Sequence, residues 1–134
     1  MTSNTPATAL SHVSLGTNDF ARAVDFYDAL MPTIGCFRIV EHAGARAYGR
    51  GHPEFWIQAP LDGEAATVGN GSHVSFLAVS QGDVDLFHTT GIANGATDAG
   101  RPGPRPEHGK GYYACYLRDP DGHKIEAMYF DAEA

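Results

Sequence analysis

Two short stretches decide the fold: Ser11-His12-Val13-Ser14-Leu15 near the beginning and Ser72-His73-Val74-Ser75-Phe76 in the second half. They differ only at their last residue, and the two histidines are 73 − 12 = 61 residues apart. In each stretch, polar His and Ser alternate with apolar Val and Leu or Phe, and this alternation predicts a β-strand with one polar and one apolar face. The chain therefore contains an internal repeat.

A helix is predicted after each of these strands. The first has Asn18 or Asp19 as its N-cap, followed by apolar residues at helical spacing, namely Phe20, Val24, Tyr27 and Met31. The second has Ser80 as its cap, contains Val84, Phe87 and Gly91, and ends near Asn94-Gly95. The repeat thus extends beyond the strand into the element that follows it.

Three further strands are predicted after each helix. In the first half they cover residues 36–41, 45–48 and 54–58; in the second half a weak strand near Ala96 and Thr97 is followed by strands at 112–117 and 124–130. The last strands also match, Ile57-Gln58-Ala59 against Ile125-Glu126-Ala127. The sequence predicts one α+β domain over residues 1–134, built from two βαβββ modules (about 10–61 and 72–131) with a Gly-containing linker at 62–71.

Composition excludes several classes of protein. The net charge is −7 with only nine Lys and Arg, which argues against a nucleic-acid partner. No apolar run approaches the roughly 20 residues that span a bilayer. The start, MTSNTPATAL, lacks the pattern of a signal peptide, so we expect a short flexible tail and a cytoplasmic protein.

The repeat, with the stretches SHVSLGTNDFARAVDFYDAL and YLRDPDGHKIEAM, resembles the vicinal oxygen chelate superfamily over about residues 10–130. Its members include glyoxalase I, methylmalonyl-CoA epimerase, extradiol dioxygenases, fosfomycin-resistance proteins and bleomycin-resistance proteins. The resemblance implies two modules with pseudo-twofold symmetry that form a cupped, partly open, barrel-like mixed sheet. It also implies a homodimer, in which the two halves of a cup come from one chain or are swapped between chains. Because one fold hosts many functions, the resemblance is informative for fold and weak for reaction.

Four side chains are candidate metal ligands. If His12 matches His73 and Gln58 matches Glu126, the pseudo-twofold symmetry places all four around one axis. Two imidazoles and a carboxylate suit a divalent Fe, Mn, Co, Ni or Zn ion, and the Gln58 amide oxygen is a neutral fourth donor. A lone strand histidine is more often a structural residue, whereas a Glu inside an alternating strand rarely lacks a partner. The set resembles that of methylmalonyl-CoA epimerase, or without Gln58 that of the dioxygenases and fosfomycin-resistance proteins.

The number of ligands separates the possible reactions. Four ligands on an octahedral ion leave two positions for a chelating substrate and favour glyoxalase-like or epimerase-like enolate chemistry, with Glu126 as ligand and base. Three ligands leave room for a bidentate substrate plus dioxygen, or for thiol transfer of the fosfomycin type. The alternative is a metal-free binding protein of the bleomycin-resistance type, since an acidic chain suits a cationic drug.

Further residues are predicted to line the pocket or to shape the chain around it. The pocket candidates are Ser14, Trp56, Ser75, His108, Tyr112 and Tyr113. Tyr112 and Tyr113 lie on opposite faces of one strand, so one is expected in the pocket and the other in the core. The Gly/Pro-rich stretch 94–111 is predicted to be a surface loop or a cationic lid over the cup. Asp119-Pro120-Asp121-Gly122 predicts a tight turn with a structural role.

Overall fold

The computed structural model describes residues 6–134, so residues 1–5 of the predicted tail lie outside the described residues. Two modules with the same order of elements make up this part of the chain. The first consists of β1 (Val13–Gly16), α1 (Phe20–Leu30), β2 (Phe37–His42), β3 (Ala45–Gly49) and β4 (Phe55–Gln58). The second consists of β5 (His73–Leu77), α2 (Gln81–Ala93), β6 (Thr97–Pro104), β7 (Tyr112–Arg118) and β8 (Lys124–Phe130).

Each module forms one four-stranded mixed sheet. The strand orders are β1-β4-β3-β2 and β5-β8-β7-β6, in which the first pair of each sheet is parallel and the other pairs are antiparallel. The predicted α+β fold of two similar modules is confirmed, and the two sheets are not closed into a barrel. Within residues 6–134, neither helix combines the length and apolarity needed to cross a membrane.

Equivalent side chains cap the two helices. The Asp19 carboxylate accepts a hydrogen bond from the Arg22 amide, and the Ser80 hydroxyl accepts one from the Asp83 amide, both at 3.1 Å. These bonds satisfy amides that have no partner inside the helix. The caps are 80 − 19 = 61 residues apart, the same offset as that of the two histidines. The predicted caps are thus confirmed, with Asp19 rather than Asn18 in the first helix.

The stretch predicted as a long loop or lid contains a strand. β6 has eight residues, Thr97–Pro104, and pairs antiparallel with β7 despite its Gly and Pro content. It lies at the edge of its sheet, where proline is tolerated because an edge strand has one unpaired side. The register shifts twice, between Asp98 and Gly100 and between Gly100 and Gly103. A short 3₁₀ turn, Pro106–His108, then leads towards β7.

The helices pack on one face of each sheet and join both modules in one hydrophobic core. Phe26 and Tyr27 of α1 and Val84 and Phe87 of α2 are all buried in this cluster. Where the modules meet, α2 carries Gly91. A Cβ atom at Gly91 would lie 2.4 Å from Leu117 Cδ1 and 3.5 Å from Leu30 Cδ1, so the absence of a side chain makes room for both leucines.

Two side chains link the modules, each by a hydrogen bond to the edge strand of the other module, β1 or β5. His123 Nε2 donates to the Gly16 carbonyl at 2.6 Å, and Arg50 Nη2 donates to the Leu77 carbonyl at 2.6 Å. Gly16 and Leu77 are again 77 − 16 = 61 residues apart, so the two acceptors are equivalent, whereas the two donors are not. The predicted turn Asp119–Gly122 supports this junction, because its Asp121 carboxylate accepts from the Thr17 hydroxyl at 2.6 Å.

Candidate functional site

The polar face of the second sheet, opposite the face packed on the core, carries the candidate site; we call it the open face. Along β8, Ile125 and Ala127 point into the core, while Glu126 lies on the open face. The strand registers place Ser75 of β5 on one side of Glu126 and Tyr116 of β7 on the other. Period-two alternation therefore gathers polar side chains from three neighbouring strands on this face.

Glu126 is a buried carboxylate at the centre of this face, with 2% of its surface exposed. Its Oε2 accepts a hydrogen bond from the Tyr112 hydroxyl at 2.5 Å, and its Oε1 lies 3.2 Å from His73 Nε2. Within residues 6–134, His73 is its only ion-pair partner. A buried carboxylate whose contacts in the protein are one phenol and one imidazole is costly unless a cation or proton joins it.

The pKa values of the two phenols on the open face, Tyr112 and Tyr116, are both raised. Burial, together with the hydrogen bond to Glu126, raises the pKa of Tyr112 well above its usual range. Burial and the charge of Glu126 raise the pKa of Tyr116 as well. Both hydroxyls therefore stay protonated at neutral pH, and Tyr112 is the donor in its bond to the carboxylate.

A cavity of about 560 Å³ opens over this face. Glu126, His73 and Tyr112 line it, and the other side chains around it include His108, Arg105 and Lys124. The His108 ring lies 5.3 Å from the Tyr112 ring. Of the predicted pocket residues, Tyr112 and His108 thus share a cavity with Glu126. This volume fits a small molecule.

His12 does not line the cavity of Glu126 but lines a second cavity together with His73. It is exposed, with Nδ1 3.0 Å from the Ser11 hydroxyl. This second cavity, of about 540 Å³, is also lined by Ser75, and His73 borders both cavities. Among the described residues, no group of three or more His, Cys, Asp or Glu is placed to hold a metal ion. The four predicted ligands are therefore not assembled into one set within this part of the chain.

The predicted equivalence of Gln58 and Glu126 is wrong. In the first sheet Ser14 pairs with Trp56, whereas in the second Ser75 pairs with Glu126. Trp56 therefore occupies the position of Glu126, and Gln58 lies two residues further along its strand. Gln58 and Ser14 line a third cavity, of about 340 Å³, to which the second sheet contributes no residue.

Tyr113 lies on the other face of β7, as the alternation requires. Its hydroxyl donates to Asp85 of α2 at 2.6 Å, so it does not line the cavity of Glu126. Two residues that do line it, Tyr116 and Lys124, were not predicted from the sequence. The signal was present, because Tyr116 shares its face with Tyr112, and Lys124 shares its face with Glu126.

Comparison with known proteins agrees with this architecture. The family model described as "Glyoxalase/Bleomycin resistance protein/Dioxygenase superfamily" matches residues 9–127, and the chain belongs to this family. A search of the curated proteins finds no significant match.

Several solved structures are similar to the chain. A glyoxalase/bleomycin resistance protein from Albidiferax ferrireducens T118 is 42% identical with a TM-score of 0.81, covering 90% of this chain and 97% of its own. A lactoylglutathione lyase from Agrobacterium tumefaciens is 20% identical with a TM-score of 0.63, covering 92% and 94%. The fosfomycin resistance protein FosX from Listeria monocytogenes is 19% identical with a TM-score of 0.65, covering 96% and 98%. The last two establish only the fold, on which different activities are built.

Proposed function

We propose that this protein is a metal-dependent enzyme of the glyoxalase type that acts on a small, oxygen-rich substrate bound over the open face of the second sheet. The observation that carries the proposal is the buried Glu126 carboxylate next to His73 at the bottom of a cavity. A carboxylate with 2% exposure and only an imidazole as ion-pair partner is an arrangement that a divalent cation would stabilise.

The donor chemistry fits a borderline divalent ion such as Fe, Mn, Co, Ni or Zn, with His73 and Glu126 as two of its ligands. We propose His12 as the third ligand, because it lines a cavity together with His73. It would reach the ion from the same chain or from a second copy in a homodimer. Gln58 is left out of the proposed set because it lies in a different cavity from both His73 and Glu126.

The bound ion would stabilise negative charge on substrate oxygens during the reaction. The remaining work falls to side chains of this chain. The Tyr112 hydroxyl fixes the orientation of Glu126 through their 2.5 Å hydrogen bond. Glu126 is the buried carboxylate of the cavity, and we assign to it the proton transfer at a carbon beside a substrate carbonyl.

Binding of a cationic drug without metal fits this cavity less well. Arg105 and Lys124 both line it, and their charges oppose a cationic ligand. The three-ligand set also fits a second type of enzyme, a dioxygenase or a thiol transferase, because it leaves positions on the ion for a bidentate substrate and dioxygen or a thiol. Oxygen uptake with candidate substrates separates an oxygenase from an isomerase or lyase.

The test is the metal content of the protein, purified without a metal-binding tag and offered each of the five ions in turn. We expect stoichiometric metal in the wild type and its loss in His73→Ala and Glu126→Gln. The matched control is His88→Ala, which removes the other His–carboxylate pair, His88 Nε2 to Asp98 Oδ1 at 2.8 Å, from the surface. Full metal content in both His73→Ala and Glu126→Gln, or no uptake of any ion by the wild type, would falsify the proposal.

A further inference from the structure

Two cations lie against one phenol ring in the cavity of Glu126. The guanidinium carbon of Arg105 is 5.5 Å from the centre of the Tyr116 ring, and Lys124 Nζ is 5.1 Å from it. All three side chains line the 560 Å³ cavity. The ring attracts each cation weakly through its π-electrons. Two positive charges that line one cavity repel each other, so the arrangement calls for a further explanation.

The backbone of β6 holds Arg105 in place. Its Nη1 donates to the carbonyls of Gly103 at 2.9 Å and Pro104 at 3.2 Å, and its Nη2 donates to the Arg101 carbonyl at 2.6 Å. These three bonds use three of the five guanidinium N–H groups. The other two donate to no atom of the described residues, which leaves them available to a ligand.

Gly100 makes this arrangement sterically possible. A Cβ at Gly100 would lie 2.8 Å from Tyr116 Cδ2 and 3.4 Å from Arg105 Nη2. Gly100 also lies at both register shifts of β6, where the strand bulges out of the regular ladder. The irregular course of β6 is thus fitted around the Tyr116 ring and the guanidinium.

Neither cation is neutralised by the protein. Among residues 6–134, Arg105 and Lys124 take part in none of the ion pairs, although the chain has 16 acidic residues and a net charge of −7. Glu107 lines the same cavity without pairing with either cation, and Glu126 is engaged by Tyr112 and His73. An anion bound in this cavity within reach of both cations would offset their charge with charge-assisted hydrogen bonds.

We propose that Arg105, Lys124 and Tyr116 form a subsite for a small oxyanion, a carboxylate or phosphate group, carried by the substrate. This inference rests on the proposed function in that it assigns a substrate class to the same cavity. Lys124 and Glu126 are two residues apart on one face of β8, a separation of about 7 Å along the strand. The anionic group of the substrate would therefore lie a short distance from the substrate oxygens that bind at the metal site proposed for His73 and Glu126.

The test is an NMR titration of the metal-free, EDTA-treated full chain with malonate and, separately, with inorganic phosphate. Saturable shifts centred on the amides of β6 and β8 are expected, with dissociation constants on the order of millimolar. Lys124→Met and Arg105→Met should each weaken binding by roughly tenfold, the effect of losing one charge-assisted contact. The anion that binds more tightly identifies the carboxylate or phosphate class.

Lys110→Met is the charge-matched control, because Lys110 lies outside this cavity and its loss should leave the affinity unchanged. Since Arg105 supports β6, the decisive variant is Lys124→Met, whose side chain makes no hydrogen bond in the described chain. Equal affinity in Lys124→Met and the wild type, or no saturable shift with either anion, overturns the subsite.

The metal-dependent enzyme and the anion subsite can be rejected independently of each other. His73→Ala should lose metal but keep its affinity for the anion, because it removes neither cation, although His73 pairs with Lys124 in the sheet. Absence of metal in the wild type together with anion binding that depends on Lys124 would reject the metal enzyme and support the subsite. Metal bound through His73 and Glu126, without anion binding, would do the reverse.

Discussion

The two modules share strand order and capped helices, but the sheet faces opposite the core carry different side chains in the two modules. From the strand pairing, Glu126 of the second module corresponds to Trp56 of the first, and Tyr116 corresponds to Ala47. Lys124, one residue before the Ile125 that matches Phe55, corresponds to Glu54. The same backbone position thus holds an acid in one half and an indole in the other. The repeat supplies a framework twice, and the chemistry of each half depends on a few side chains placed on it.

The largest loss of stability is expected from adding a side chain at Gly91 of α2, which faces Leu30 of α1. Gly91→Ala places a methyl group 2.4 Å from Leu117 Cδ1 in a fully buried contact, and we expect it to lower the free energy of unfolding by about 3 kcal/mol. Urea denaturation measures the loss. Gly82→Ala is the control in the same helix, because a Cβ there meets only Ser80 Oγ at 3.8 Å. It should be neutral or stabilising, since alanine favours a helix over glycine. Equal stability of the two variants would contradict the close packing.

A smaller effect should separate the two faces of β7. Tyr112→Phe removes the hydroxyl that donates to the buried Glu126, and the loss of a hydrogen bond to a charged group costs about 2 kcal/mol. Tyr113→Phe removes the bond to the exposed Asp85 and should cost less than about 1 kcal/mol. Urea denaturation of the two variants side by side provides the comparison. If Tyr113→Phe proves the more costly change, the assignment of the two faces fails.

The paired bonds between the modules allow a finer comparison. His123→Leu keeps most of the side-chain volume but removes the donor to the Gly16 carbonyl, and a loss of roughly 1 kcal/mol is expected. Arg50→Met removes both the bond to the Leu77 carbonyl and a 2.7 Å bond to the carbonyl of buried Ile34, so the loss should be larger. Chemical denaturation of both single variants measures the difference. A larger loss in His123→Leu would contradict this order.

The smallest effect is a change in pH dependence at the turn of the second module. Burial raises the pKa of Asp119 above its ordinary value of 3.8, against the opposing effect of the hydrogen bond from Tyr27. The folded state then binds the proton more tightly than the unfolded state. This contribution to stability is present at low pH and is lost as the pH rises through the folded-state pKa.

Asp119→Asn should remove the part of the pH dependence of the free energy of unfolding that Asp119 contributes. Unfolding is measured by urea at steps from about pH 4 to pH 7, and the difference between wild type and variant isolates Asp119 from the other titrating groups. An unchanged slope in Asp119→Asn would place the pH dependence elsewhere.

The sequence was sufficient for the fold because the repeat keeps one offset over its first two elements. An offset of 61 residues relates His12 to His73, Asp19 to Ser80 and Leu30 to Gly91. The prediction failed in the last strand, where the pairing gives 126 − 56 = 70 while the matched triplets give 126 − 58 = 68. The connections before that strand differ in length between the modules, and a triplet of common residues cannot reveal such a change.

The site was predicted less completely than the fold. The alternation of β8 identified Glu126, and the repeat identified His73, but their pairing with Tyr112 is a contact between strands that no local pattern specifies. A weak strand was predicted near Ala96 and Thr97, but β6 extends to Pro104. Its Gly and Pro residues have low strand propensity, which pairing with β7 overrides. The position of Arg105 depends on the bulges of that strand, so its place in the cavity followed only from the structure.

The contact between Leu30 and Gly91 also shows that the two modules must differ in sequence. These are equivalent positions that meet each other, so an assembly of two identical modules would have to place the same residue on both sides. Two leucines would overfill the contact and two glycines would leave a void. A large residue opposite a glycine is open only to two modules whose sequences differ at this position. The two halves have thereby lost the ability to substitute for each other, and each now encodes the shape that its neighbour requires.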